Sequence, residues 1–274
     1  MTTEALAPAV IAPGTAHRGP GPVRAAIEDT ATVTWRNLKK MSRMPQLLVF
    51  ATVQPIIFVL MFRYVFGGAI KVPGVHYVDY LMPGIFAQTV VFGSLQTGVG
   101  LAEDLRTGLI ERFRALPMAR MAVLAGRTIA DLVRNVFVVL LMLIVGYLVG
   151  WRLHTNVVAL VGGIGVILAF SFALTWLFAI VGLATGDPET AQAASFPLLA
   201  PLVFASTAFV PLHSMPGWLQ AFANNQPVSV TVDAVRDLTL GGASTHDVSL
   251  ALVWSIALIA TFAPLAVARY RRAA

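Results

Sequence analysis

Charge is scarce in this chain and cysteine is missing. Of 274 residues, 12% are Asp, Glu, Lys or Arg, about half the 25% usual in soluble proteins. The absence of cysteine excludes disulfides, thiolate metal sites and thiol nucleophiles. Lysine is reduced to Lys39, Lys40 and Lys71, so the net charge of +6 rests on arginine. No Gly-x-x-x-x-Gly-Lys-Ser/Thr loop occurs to cradle a nucleotide phosphate. The five histidines (His17, His76, His154, His213 and His246) stand alone, with no paired-His metal spacing, and no serine sits in a Gly-x-Ser-x-Gly elbow. Nothing here assembles a catalytic set, so the chain does not read as an enzyme.

What is present is apolar. The residues AVILMFWYC make up 57% before any of the 22 glycines is counted, and mean hydropathy is +0.78. Too few charges remain to cover a soluble core of this size, so the solvent is lipid. Six segments reach the length of about 20 residues that a helix needs to cross a bilayer: Leu47–Phe66, Tyr80–Ala102, Ile129–Gly150, Val157–Leu183, Ala191–Val210 and Val248–Ala268. None alternates at period two, which sets aside barrel strands. The expected fold is an all-α bundle of six transmembrane helices. Fourteen Lys and Arg flank one side of the spans, and four (Arg63, Lys71, Arg152 and Arg236) flank the other. That asymmetry predicts both termini in the cytoplasm and a bacterial inner-membrane location. The basic residues cluster between apolar runs, a distribution that fits membrane orientation and not nucleic acid.

Residues 1–23, rich in Pro and Gly, read as a disordered tail without a cleavable leader. Residues 24–45 follow an amphipathic pattern. Ile27, Ala31, Trp35, Leu38 and Met41 form an apolar stripe opposite Arg36, Lys39, Lys40 and Arg43, as in a helix lying flat at the membrane surface or a simpler basic anchor. Residues 46–272 then form one membrane domain. Within it, residues 103–118 interleave Glu103, Asp104, Arg106, Glu111, Arg112 and Arg114 with Leu105, Leu109, Ile110, Phe113 and Leu116. A helix starting near Glu103 and stopped by Pro117 would need a partner surface for those apolar groups. Residues 211–242 are too apolar for an exposed loop and too interrupted to span. Two short re-entrant helices satisfy both constraints, with Asn225, Pro227, Asp233 and Arg236 capping them.

The span interiors carry uncharged polarity: Gln54 before Pro55, then Gln88, Gln96 and Thr97 among several glycines. These side chains either pack helices together or line a path for an amphipathic solute. Phe170, Phe172, Trp176 and Phe178 are open to the same choice, or to lipid. Arg63 and Arg134 are expected to snorkel to opposite surfaces. With no charge held at mid-membrane, an ion-coupled pump is disfavoured. The energy for transport then comes from elsewhere.

Several local sequences resemble type-2 ABC exporter permeases, in particular the actinobacterial daunorubicin/doxorubicin-resistance permeases. These are Leu81-Met-Pro-Gly84, Asp104-Leu-Arg-Thr-Gly-Leu-Ile-Glu-Arg-Phe-Arg-Ala-Leu-Pro117, Gly126-Arg-Thr-Ile-Ala-Asp131, Asn225-Gln-Pro227 and Asp233-Ala-Val-Arg-Asp237. The resemblance implies a half-transporter that pairs with an identical or sister permease and rests on two copies of an ABC ATPase. ATP and Mg would be held by that partner, with no cofactor in this chain. The segment from Glu103 to Pro117 becomes the coupling helix, read by the ATPase through its charges and anchored by Leu109, Phe113 and Leu116, with the helix around Trp35–Arg43 beside it. The implied activity is export of a drug, a secondary metabolite or a lipid. An ATPase-independent transporter, channel or scramblase is the competing reading.

Overall fold

The computed structural model describes residues 22–43, 45–70, 72–114, 120–242 and 245–273. All but two residues of the expected tail lie outside them; those two, Pro22 and Val23, already belong to the first helix. Among the described residues the chain is helical with no strand. The order is α1 (Pro22–Ser42), α2 (Pro45–Leu60) continuing as a wider π-type turn (Met61–Phe66), α3 (Tyr77–Arg106), α4 (Leu109–Arg114), α5 (Arg120–Val149), α6 (Val157–Thr185), α7 (Pro188–Phe204), α8 (Gly217–Asn225), α9 (Pro227–Leu240) and α10 (Thr245–Ala273).

Four stretches are long and apolar enough to cross a membrane by length and composition: α3, Met121–Val149 within α5, α6, and Thr245–Arg272 within α10. The first expected span, Leu47–Phe66, lies within the continuous run of α2 and its π-type turn, Pro45–Phe66, of which Ala51–Phe66 is a short apolar stretch. The fifth is the 17-residue α7, which carries Pro197 and Pro201 internally. Capping chemistry sets several boundaries. The Asn156 side chain accepts from the Ala159 amide at 2.8 Å to start α6, and Gly186, at φ +67°, ends it. Asp187 accepts from the Thr190 amide at 2.9 Å to start α7, with Pro188 in the first turn where no amide donor is needed.

The bundle is organised around α3, which is buried along most of its length and packs most extensively against α6, then α7 and α5. Close approach of α3 and α6 depends on Gly98 and Gly182. A Cβ on Gly182 would overlap the Gly98 carbonyl, and one on Gly98 would overlap the carbonyl of Phe178. Without a hydrophobic drive between helices in lipid, such backbone proximity supplies the packing. The main core gathers Leu81, Met82, Ile85, Phe86, Phe170 and Phe178. A second cluster, at the end of the bundle where α3 meets α4, joins Leu101, Ile110, Leu124, Leu183 and Tyr270. Phe170, Trp176 and Phe178 therefore face the protein interior and not lipid, with Phe172 edge-on to Trp176 at 5.9 Å. Exposed apolar residues on α5, α6 and α10, such as Ile144, Leu148, Val158 and Ile256, form the outer surface that a bilayer would cover.

α1 has three faces where the sequence suggests two. Thr30, Val33 and Thr34 lie on α5, where Gly126 leaves room for Val33 and its carbonyl accepts from Thr34 at 3.2 Å. Ile27, Ala31 and Trp35 point outward, Trp35 being 68% exposed, and Lys39, Lys40 and Arg43 are exposed on the remaining side. Of the expected stripe, Ile27, Ala31 and Trp35 are exposed, whereas Leu38 is half-buried and Met41 turns inward to the bundle, so the helix is docked along part of that face.

Candidate functional site

The mixed-charge segment does not form one helix from Glu103. Glu103 to Arg106 is the last turn of α3; the chain then breaks at Thr107 and Gly108, and α4 begins at Leu109. Gly108 sits at φ +66°, a conformation that other residues adopt at a cost, so the break is written into the sequence. On the surface of this elbow lie Glu103 and Arg106, paired at 2.9 Å, and Glu111 and Arg112. Leu109 is half-buried, and Ile110, buried in the second cluster, pins α4 to the bundle. The side chains of Phe113 and Arg114, and the whole of Leu116 and Pro117, lie outside the described residues.

Asp104 departs from its expected role of facing a partner. It is 5% exposed and turned inward, 2.6 Å from Arg127 on α5. From there a ladder of polar contacts runs up the seam between α3 and α5. Arg127 stands 3.9 Å from Asp131, whose other oxygen is 3.0 Å from Arg134. Thr97 donates to Asp131 at 2.7 Å. Arg134 in turn donates to the Gly93 carbonyl and, at 3.3 Å, to Asn135; Asn135 donates to Ser171 at 2.6 Å, and Ser94 donates to the Ser171 carbonyl at 3.0 Å. Although the buried Arg127 Nε makes no hydrogen bond, each charged member of this chain faces an opposite charge on an adjacent helix or turn. That is the condition under which buried charge is tolerated.

Two expectations fall here. Arg134 does not snorkel to a surface; burial of Asp131, 4% exposed, supplies a closer partner than water. Thr97 does not line a path, because its hydroxyl is fully buried against Asp131. The ladder escaped sequence reading although its signal is visible. Arg127, Asp131 and Arg134 are spaced i, i+4, i+7 and fall on one face of α5. Gly93 and Gly100 are seven apart on α3, and Gly100 leaves space for the Arg127 guanidinium.

The upper end of the ladder opens onto a cavity of about 420 Å³ between α2, α3, α5 and α7. Gln54, Gln88 and Gln96, three of the four polar residues singled out in the spans, border it together. Arg134, Asn135, Phe92, Gln192 and Phe196 border it as well, and none of these was anticipated in this role. Gln192 and Phe196 come from α7, where a glutamine two residues into an apolar run was the available clue. Met41 of α1 also reaches the cavity. Arg36, on the same helix, is half-buried toward the Asp104–Arg127 pair; burial lowers its pKa and the Asp104 carboxylate opposes that.

At the opposite end of α3 the broken helices are tied in by hydrogen bonds. The buried member of the Asn225-Gln-Pro227 motif is Gln226, 5% exposed, and neither of its neighbours. It caps α9 by accepting from the Val228 amide at 3.2 Å, and donates to the Leu202 carbonyl at 2.9 Å, where α7 is unwinding. Asn225 bonds only back to Ala221, and Pro227 fills the first turn of α9. Arg236 pairs with Asp233, lies 3.7 Å over the Tyr80 ring and donates to the Thr207 carbonyl at 2.9 Å. Among the described residues no cluster of His, Cys, Asp or Glu has the shape of a metal site.

The family model described as ABC-2 type transporter matches residues 28–240. The chain is 37% identical over 254 residues to the daunorubicin resistance ABC transporter permease protein of Streptomyces coeruleorubidus, covering 92% of this chain and 90% of that one. It is 30% identical over 261 residues to a probable doxorubicin resistance ABC transporter permease protein of Mycobacterium tuberculosis, covering 93% and 94%. A putative transport permease of Cyanophora paradoxa is 25% identical over 216 residues, 77% of this chain and 74% of that one.

Proposed function

The chain belongs to the ABC-2 type transporter family, and from that premise we propose how it works as the membrane-spanning permease subunit of an ATP-binding-cassette exporter. It is a non-catalytic membrane component whose ATPase resides in a separate partner subunit. In our reading, two permease chains, identical or sister, rest on two ATPase subunits that bind ATP and Mg. Both termini lie on the cytoplasmic side of the plasma membrane, and the solute leaves outward. That solute is amphipathic: a drug, a secondary metabolite or a lipid. The resistance names of the relatives support the first of these.

One observation carries the mechanism. The elbow that holds Glu103, Arg106, Glu111 and Arg112 on the surface is continuous, through Asp104, Arg127, Asp131 and Arg134, with the wall of the polar cavity. In this reading the ATPase grips the elbow and α1. Closure of the ATPase shifts the end of α3 against α5, and the ladder carries that shift to Gly93, Arg134 and Asn135 at the cavity. A transition of this kind moves packed helices between two arrangements and needs an energy input that differs between them. The ladder's charges are the part of the seam with the least tolerance for partial contact.

The reading is tested by co-expressing the chain with its ATPase in vesicles. Glu111→Arg and Phe113→Ala are expected to abolish co-purification of the ATPase while leaving the permease folded. Solute-stimulated ATP hydrolysis is expected only in the intact complex. If the ATPase co-purifies undiminished with both variants, or if cross-links from residues 103–114 reach only lipid, the elbow is not the coupling surface.

A further inference from the structure

Toward the far ends of α2 and α7 the chain gathers phenylalanines that neither the ladder nor the cavity uses. Phe209 lies 4.5 Å from Phe62, with the two rings 12° from parallel, 6.0 Å from Phe204 and 6.2 Å from Phe58. Phe58 and Phe62 stand 6.1 Å apart, and Phe62 reaches Phe66 at 5.2 Å. These separations are those of interacting rings. The group lies to one side of the cavity on every element that serves both. On α2 the cavity is bordered at Ala51, Gln54 and Pro55, and Phe58 and Phe62 follow one and two turns further along that face. On α7 it is bordered at Gln192 and Phe196, with Phe204 two turns beyond. On α3, which runs the other way, Gln88 and Gln96 border it. Tyr77, whose hydroxyl donates to the Phe209 carbonyl at 3.0 Å, comes before them.

The two walls of this group are built differently. Phe209 is 3% exposed and is fastened to α3. Tyr77 holds its carbonyl, Tyr80 donates to the Thr207 carbonyl at 2.9 Å, and the Ala208 carbonyl fills the space where a Cβ on Gly84 would stand. The facing wall is aligned by the π-type turn Met61–Phe66. A step of four residues overshoots a full turn of α-helix by about 40°, and falls short of one in the wider π form. The two departures oppose each other, so Phe58, Phe62 and Phe66 keep one face, where an unbroken α-helix would carry them round it. Gly67 follows the turn, and a Cβ there would overlap the Arg63 carbonyl.

The geometry points to an outward seal: the Phe58, Phe62 and Phe66 face of α2 closes on Phe204 and Phe209 and blocks the route from the polar cavity to the outer surface. This inference rests on the exporter reading and its orientation, and supplies the barrier which that reading needs beyond the cavity. Five phenyl rings offer water no hydrogen bond, and a hydrophobic constriction closes to polar solutes by staying dry. Because Phe209 is fastened to the Tyr77 end of α3, a tilt of α3 draws one wall from the other. The seal is then worked by the same helix whose opposite end bears the elbow.

The chain carries no cysteine, so Gln54→Cys places a single thiol at the cavity. The full permease–ATPase complex is held in right-side-out and inside-out membrane vesicles and treated with a trimethylammonium methanethiosulfonate, which does not cross membranes. Labelling is expected to be fast from the cytoplasmic side and slow from outside. Phe62→Ala is expected to raise the outside rate about tenfold while the cytoplasmic rate stays the same. If Phe62→Ala does not assemble, Phe204→Ala, at the exposed edge of the group, serves in its place with the same expected direction. Phe137→Ala removes an equal ring from the exposed face of α5 and is expected to leave the outside rate unchanged. Fast outside labelling of the chain with all its phenylalanines overturns the proposal, as does a cavity closed to the reagent from both sides. So does an outside rate unmoved by Phe62→Ala or Phe204→Ala, or one raised equally by Phe137→Ala. Gly67→Ala is expected to raise the outside rate as well, and an unchanged rate overturns the aligning role of the π-type turn. Loading the vesicles with ATP and Mg separates this inference from the one beneath it. ATP is expected to speed outside labelling of the chain with all its phenylalanines only when the ATPase is present. If the Phe62→Ala variant opens as stated but ATP changes nothing, the exporter reading falls and the seal stands. If ATP opens the chain but Phe62→Ala adds no access without it, the seal falls and the exporter stands.

Discussion

At one end of α3, Asp104, Arg127, Asp131 and Arg134 bring four full charges into the seam with α5. At the other end, Gln226, Tyr80 and Thr207 do comparable joining work mostly with neutral hydrogen bonds and one ion pair, Arg236 with Asp233. The first region joins two unbroken helices; the second repairs two broken ones. Where the backbone is regular, its own amides and carbonyls are satisfied, so side-chain charges need one another and lock a register. Where α7 unwinds after Phe204, free carbonyls such as that of Leu202 must be met, and a neutral amide meets them without importing charge. The first arrangement fails abruptly when one member is lost. The second fails by degrees.

Several substitutions sharpen that contrast. Asp131→Leu leaves Arg127 and Arg134 facing each other's charge in a buried seam, and should cost about 3–5 kcal/mol. Loss of folded protein on detergent size-exclusion is the expected readout, with Asp131→Asn, which keeps an acceptor for Thr97, milder. Gly182→Val strikes between the ends, where no side chain can give way because the obstacle is the Gly98 backbone. A loss of about 3 kcal/mol or more is expected, as for other overpacked buried sites, read as a collapse of thermal stability. Gln226→Ala removes the α9 cap and the partner of Leu202 together, at about 1–3 kcal/mol. It should lower the unfolding temperature without abolishing folding. A Gln226→Ala variant less stable than Asp131→Leu would invert the comparison.

The smallest effect is a titration. Burial, together with the Asp247 carboxyl beside it, raises the pKa of Asp237 near the end of α9 to about 6. Because the folded-state pKa lies above the ordinary value near 4, the folded chain holds its proton more tightly than the unfolded one. Stability therefore falls as pH rises from about 4 to about 6 and is lowest above that window. Asp237 is only partly buried, so after solvent screening the change should amount to about 1 kcal/mol or less. Asp237→Asn should flatten the unfolding temperature between pH 4 and pH 7. A slope that persists in that variant places the titrating group elsewhere.

The distribution of long apolar runs made the helical, membrane-embedded nature of the chain legible, and the Pro and Asn interruptions between residues 211 and 242 announced short helices there. What composition could not reveal was which polar residues touch. Gln54, Gln88 and Gln96 looked alike in sequence to Thr97, yet the last is turned one helical step away into the α5 seam and belongs to the ladder. Asp104 sat among surface charges in the sequence and was read with them. Its separation from Glu103 by 100° of helix rotation sends one outward and the other in. Asp131 was hidden by its neighbours, because a carboxylate flanked by arginines at i−4 and i+3 is indistinguishable from an ordinary orientation signal until the facing helix is known. Gln226, between two residues more suggestive of a turn, was passed over because capping by glutamine is uncommon.

The unbroken run of α3 has a geometric corollary. Thirty residues of helix make a rod of about 45 Å, from Tyr77, whose hydroxyl donates to the Phe209 carbonyl, to Arg106 at the glycine elbow. If it pivots where Gly98 meets Gly182, with arms of about 12 Å to Arg106 and about 32 Å to Tyr77, a swing of about 5° moves the Arg106 tip by roughly 1 Å and the Tyr77 tip by roughly 3 Å, the second enough to break one hydrogen bond and form another. Tyr80 and Thr207 would then feel a movement begun at Glu103 with nothing passing through solvent or loop. Stiffness in that single rod, and no flexibility elsewhere, is what would let a motor on one face of the membrane rearrange the seal on the other.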